Sequence, residues 1–184
     1  MTTYPVLTID TAPDGARPAL RGLQQAFGAV PNLAATMANS PPLVNSFVAA
    51  VGQFAGGTFS DGERQILLLS NAVANSCTWA VAFHSTLALK HGVADGDVEA
   101  VRHGRSPGAP RLAALSTLTR KLIERRGHLE PGDVEEFLAA GFDSDQLLEV
   151  ITGVAISALA NYAGNITRPP LEPAFQAQTW TAGQ

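Results

Sequence analysis

An all-α, single-domain bundle is the fold class that this sequence predicts. Apolar residues recur at spacings of three and four along most of the 184 residues, and no stretch alternates as a half-buried strand would. Glycines, prolines and Ser/Asp caps break the chain at intervals of one helix each. With 46% hydrophobic residues, a chain of this length has ample apolar material for one core.

Composition narrows the function classes. The net charge of −4, with acidic and basic residues interspersed, gives no basic field for nucleic acid and no polybasic membrane segment. A single cysteine cannot form an intramolecular disulfide, and no signal-peptide pattern opens the chain. The longest apolar run, around Val150 to Ala160, includes Thr152 and Ser157 and falls short of the roughly 20 residues that span a bilayer. The expectation is a soluble cytoplasmic protein without nucleic-acid or membrane partners.

In chain order, residues 1–16 are rich in Pro, Thr and Gly and read as an extended arm, with residues 17–184 forming the helical domain. Leu20, Leu23 and Phe27 share one face of a helix from Pro18 to Phe27. Pro31-Asn32 breaks the chain and opens a short helix to about Asn39. Ser40-Pro41-Pro42 starts the next, because proline early in a helix loses no needed N–H, and Gly56-Gly57 ends it. Ser60 and Glu63 have the spacing of a capping box, so a helix starts at Ser60 and runs through the apolar ILLLSNAV, as a central, buried helix does. A second helix, capped by Asn75 or Ser76, ends at Lys90-His91-Gly92. Asp95 to Arg102 is a short polar helix and 103–110 a loop. Arg111 to Arg126, Glu130 to Ala139 and Gln146 to about Asn161 complete the bundle. A faint echo aligns 60–73 with 144–156 and sets Gln65 opposite Glu149.

The pair of helices between Ser60 and Gly92 carries the chemistry-bearing residues. Cys77, Ala80, His84, Leu87 and His91 fall on one face of the second helix. A thiol in the first turn meets the positive end of the helix dipole, which predicts a lowered pKa for Cys77. His84 lies two turns on, roughly 10 Å along the axis at about 1.5 Å per residue, too far for direct contact. Ala80, between them, cannot bridge the gap.

These residues resemble a known signature. CTWAVAFH at 77–84, after the apolar helix and before the KHGV turn, is similar to the motif of the carboxymuconolactone decarboxylase and alkylhydroperoxidase D (AhpD-like) superfamily. That motif is Cys-x-x-Cys-x-x-x-His with a glutamate twelve residues before the first cysteine. Cys77 and His84 match it, whereas Ala80 replaces the second cysteine and Gln65 the glutamate. FGAVPNL at 27–33, SPPLVNSF at 40–47 and ANYAGNITRPPLEPAF at 160–175 extend the resemblance over most of the chain.

The resemblance implies an AhpD-like helical bundle that assembles as a homo-oligomer, and catalytic roles for Cys77 and His84. Three functions stay open. A degenerate peroxidase would use Cys77 as a single thiol, oxidised by a hydroperoxide to a sulfenic acid and reduced by an external thiol, with His84 shuttling protons through water or Gln65. A lyase or isomerase acting on a lactone acid would use His84 as the acid–base group, with Arg64 and Arg168 available for the acid. A small-molecule-binding or structural oligomer would use neither.

Each residue also has a structural reading. Cys77 fits a small buried apolar position, His84 a hydrogen-bonded core residue, and Trp79 packing in the core or at a subunit interface as well as a pocket wall. Gln65 can orient water but cannot exchange a proton as a carboxylate does. Glu63 is explained by its cap and His91 by the helix dipole. His103 and His128 show no ligand spacing, so no metal or other cofactor is expected.

Overall fold

The computed structural model describes residues 4–182; the first three residues of the predicted arm and the last two of the predicted domain lie outside the described residues. Among the described residues there are nine α-helices and no strand. They are α1 (Arg17–Phe27), α2 (Asn32–Met37), α3 (Pro41–Ala55), α4 (Asp61–Ala74), α5 (Thr78–Lys90), α6 (Asp95–Arg102), α7 (Pro110–Glu124), α8 (Pro131–Ala139) and α9 (Ser144–Thr167). Two short 3-10 turns, Asp14–Ala16 and Pro173–Gln178, flank them. The all-α expectation holds, and helix starts fall within two residues of the predicted ones.

The predicted central helix is central. Ile66, Leu67 and Leu69 of α4 are fully buried, and α5, α7 and α9 pack around it. Its capping box forms as expected: Ser60 Oγ accepts from the Glu63 N–H, and Glu63 accepts from the Ser60 N–H. Glu63 also receives the Arg111 guanidinium of α7. Burial pushes the Glu63 carboxyl up, but the hydrogen bonds from Arg111 and Ser60 outweigh it and hold the group below the usual carboxylate range.

The arm lies on its own chain: the Leu7 N–H donates to Ala35 O, Asn39 Nδ2 donates to Pro5 O, and Ala12 and Ala16 are buried. One element differs from expectation. The last helix runs to Thr167, since Gly164 is held inside it as a buried residue and the first proline comes only at Pro169, after the left-handed Arg168 cap. At 24 residues it is long and apolar enough to cross a membrane by length and composition, which corrects the reading of a short apolar run, although its inner face packs into the core. Asp143 caps α9, and Glu149 accepts from the Thr58 N–H and hydroxyl. That carboxylate sits so close to the α3–α4 turn that a Cβ on Gly57 would meet its Oε1 at 1.9 Å.

Candidate active site

The turn between α4 and α5 decides where the cysteine goes. Ser76 takes a left-handed conformation (φ 51°), the Ser76 N–H donates to Val73 O, and the Cys77 N–H donates to Ala72 O. This is a Schellman motif, which places an apolar residue two positions past the cap and turns it inward. Cys77 is that residue and also the N-cap of α5, where Asn75 or Ser76 was expected. Asn165 of α9 locks the turn by donating from Nδ2 to Asn75 O.

Cys77 is therefore 1% exposed, packed so tightly on α9 that a Cβ on Gly164 would approach its Sγ to 2.8 Å. Burial pushes the thiol pKa up, and the N–H groups of Ala80 and Trp79 at the helix start oppose this without overcoming it. The lowered pKa expected from the helix dipole is corrected: desolvation is the larger effect here.

The rest of the α5 face opens on a cavity of about 310 Å³. Ala80, Phe83, His84, Leu87 and His91 of α5 line it together with Gln65, Arg64 and Leu68 of α4, Phe47, Val51 and Phe54 of α3, and Ile156, Ser157 and Ala160 of α9. Leu23, Phe27 and Leu33 add to its apolar wall, while Asp61, Arg64, Lys90 and His91 gather its polar groups. Cys77 is absent from the lining; the position facing the cavity one turn before His84 is Ala80.

At the polar point of the wall, His84 Nδ1 lies 2.9 Å from Gln65 Oε1. An amide oxygen only accepts, so the imidazole donates from Nδ1 and leaves Nε2 as its unprotonated nitrogen. Burial pushes the His84 pKa down to about 3, so the ring is neutral at ordinary pH. Phe83 meets the His84 ring edge-on at 5.1 Å between centroids, which fixes the other side of the imidazole.

Trp79 also lines the cavity, stacked on Phe83 at 4.9 Å. Its Nε1 donates to Glu172 Oε2, while Glu172 Oε1 accepts from the Asn32 N–H at the start of α2. Phe175 packs edge-on against both rings, so the segment after α9 straps the cavity wall. Glu172 and Phe175 escaped the sequence reading; the quoted similarity at 160–175 was the signal that covered them. Arg64 lines the cavity as anticipated, tied to Asp61 and Phe59 O, but Arg168 does not. His91 is more than a dipole partner, since it sits at the cavity rim with Nδ1 3.5 Å from Asp61 Oδ2. Among the described residues no group of His, Cys, Asp and Glu has the arrangement of a metal site.

The fold and this cavity define an all-helical protein with a histidine–glutamine pair in a largely apolar pocket. The carboxymuconolactone decarboxylase family profile matches residues 41–121, from the start of α3 into α7. The structure is similar to an alkylhydroperoxidase AhpD core, an uncharacterized peroxidase-related protein from Ralstonia eutropha JMP134, at 22% identity over 94% of this chain and 93% of that one, TM-score 0.81. It is similar to the debrominase Bmp8, solved as a cysteine-to-alanine variant in complex with 2,3,4-tribromopyrrole, at 18% identity over 97% and 96%, TM-score 0.78. A peroxidase-related protein from Silicibacter sp. TM1040 follows at 18% identity over 96% and 95%, TM-score 0.75. No curated protein sequence matches. The carboxymuconolactone decarboxylase match thus covers the helices that carry Gln65, Ala80 and His84, and the fold is that of the AhpD-like neighbours.

Proposed function

We propose that this protein is a lyase or isomerase that moves a proton on a small, mostly apolar acid, with His84 as the acid–base group. The observation that carries the reading is the neutral imidazole held by Gln65 through Nδ1, which presents a basic Nε2 in a cavity with no thiol. In the proposed step Nε2 takes a proton from the carbon next to a substrate carbonyl, and the C–H electron pair passes into the enolate. The imidazolium then returns the proton to another carbon.

A base whose pKa is pushed down to about 3 is poorly matched to this task in the empty cavity, because a useful base sits near the working pH. An anionic substrate removes that objection by giving the imidazolium a counter-charge. Arg64 and Lys90 of the lining favour such a group, and the aromatic wall favours an apolar body. The related debrominase holds a small brominated ring, and an occupant of similar compactness suits about 310 Å³.

Thiol peroxidation at Cys77 receives less support, because the sulfur is buried, its pKa is raised and it lies outside the cavity lining. The test is exchange of substrate C–H for solvent deuterium across a panel of lactone and enol acids. Turnover lost in His84→Asn and kept in Cys77→Ala supports the proposal; loss in Cys77→Ala, with dimedone trapping of that residue, would overturn it in favour of the peroxidase.

A further inference from the structure

The outer face of α9 is an apolar surface that the site does not use. From Val150 to Thr167 the helix carries no charged residue, yet Leu148 is 65% exposed, Ile151 50%, Tyr162 57% and Ile166 68%. Half of the eight large hydrophobic side chains exposed among the described residues lie on this one stripe. At its middle sit Ala155, exposed, and Ala158, half-buried.

The stripe is symmetric about its own centre. Ile151 and Tyr162, and Ala155 and Ala158, straddle the same point at Ile156–Ser157, and Leu148 and Ile166 straddle it to within about half a residue. An isologous two-fold contact needs a patch that reads the same from both ends, so that residue i meets j and j meets i. Laid antiparallel on a second copy, α9 sets large residues against large at both ends and alanine against alanine in the middle, where two backbones can approach. The charges complete the pattern. Asp145 and Arg168 straddle the same point, both are exposed, and neither forms an ion pair within its own chain among the described residues. The antiparallel pair brings Asp145 of each copy to the height of Arg168 in the other.

We infer that the outer face of α9 is a two-fold docking surface for a second copy of this chain, paired antiparallel about Ile156–Ser157. From Leu148 to Ile166 the stripe is about 27 Å long at about 1.5 Å per residue and roughly 10 Å broad. That footprint is less than half of the about 800 Å² per partner of a standard interface. Flanking surface, such as that around Leu138 of α8, which is 40% exposed, must therefore close alongside, and the dimer belongs to the concentration-dependent class.

Register is the property to test. Full-length Leu148→Cys and Ile166→Cys proteins, one carrying a size tag, are mixed and oxidised, with each also oxidised alone; Cys77 stays out of the reaction because it is buried. The expected result is a mixed disulfide only in the mixture, because residues 148 and 166 of opposite copies lie level whereas the two copies of residue 148 lie about 26 Å apart. Light scattering should give about twice the 19.2 kDa chain mass at about 100 µM, and the chain mass in folded Ile151→Glu and Tyr162→Glu variants. A disulfide from Leu148→Cys alone, a monomer throughout, a dimer that survives both glutamates, or a monomer that sediments with lipid vesicles would each overturn the inference. The last would assign the face to a membrane.

Discussion

Replacing Gln65 by glutamate tests whether the polarity of the cavity is set at that position. In the native protein the Oε1 acceptor of Gln65 is 2.9 Å from His84 Nδ1, and the imidazole pKa is pushed down to about 3 because burial penalises its charged form with no anion to offset it. A carboxylate there would favour the imidazolium. Coulomb's law at 2.9 Å and an effective dielectric of about 20 gives about 6 kcal/mol, roughly 4 pKa units at about 1.4 kcal/mol each, as a ceiling. Burying the new carboxylate returns part of this, so an upward shift of about 1–3 units is expected, the range typical of an opposite charge at this distance.

The assay is an NMR titration of the imidazole nitrogens, with His84→Asn identifying the His84 signal among the four histidines. The expected outcome is a native His84 that stays neutral down to about pH 4 and a Gln65→Glu variant that titrates between about pH 4 and 6. A native His84 that titrates near 6.5, or a Gln65→Glu variant in which its pKa does not rise, refutes the account of a desolvated base with a neutral partner. The same measurement with a bound organic acid shows whether the ligand supplies the missing charge.

Other consequences follow from the same contacts. Because the folded pKa of His84 lies below its value of 6.5 in the unfolded chain, the unfolded state binds this proton more readily, so stability falls as pH drops from about 6.5 toward 3. In His84→Gln, chemical denaturation across that window should show a slope smaller by up to a few kcal/mol in total. Gly164→Ala, whose Cβ would lie 2.8 Å from Cys77 Sγ, should destabilise by about 1–3 kcal/mol, and Cys77→Ala should restore most of the loss in a double-mutant cycle. Glu172→Ala removes the acceptor shared by Trp79 Nε1 and the Asn32 N–H; a loss of about 1–3 kcal/mol and altered tryptophan emission are expected, and unchanged emission would show that the strap does not hold the cavity wall. Ala80→Cys should add a cavity-facing thiol that an aromatic disulfide reagent modifies in native protein at alkaline pH, whereas native Cys77 should react only on unfolding.

Much of the architecture was legible because local signals agreed with global packing. Ser60 and Glu63 formed the box that their spacing announced, and the unbroken apolar run after them became the buried centre of the bundle. The α5 face was also read correctly from Ala80 to His91, since helical periodicity fixes which side chains point together. It failed at Cys77, one residue before the helix. A left-handed serine there redirects the chain, and a Schellman turn is hard to foresee without the usual glycine. The dipole argument was sound in sign but lost to desolvation, since Cys77 is buried against Gly164, remote in sequence. Glu172 and Phe175 were invisible as pocket supports for the same reason: their partners lie about a hundred residues away, at Trp79 and Phe83.

The two positions that depart from the superfamily signature are physically coupled. A thiolate at position 80 would place a negative charge in the cavity, and a carboxylate at position 65 would place a second on the other side of His84. Either one favours the imidazolium, and a charged histidine in turn favours the thiolate, so the three ionise as a set. With Ala80 and Gln65 both charges are gone, and the histidine is left neutral. Restoring one member alone gives a partial result: Ala80→Cys beside a neutral His84 has no proton acceptor of suitable pKa, whereas Gln65→Glu charges the histidine with no thiol to serve. The present pair of residues is consistent with a cavity whose anion arrives with the ligand, and Arg64 and Lys90 are where that anion would be received. The double variant Ala80→Cys/Gln65→Glu should accordingly have a lower thiol pKa than Ala80→Cys alone, by thiolate absorbance against pH. Equal values would show that position 65 does not communicate with position 80 through His84.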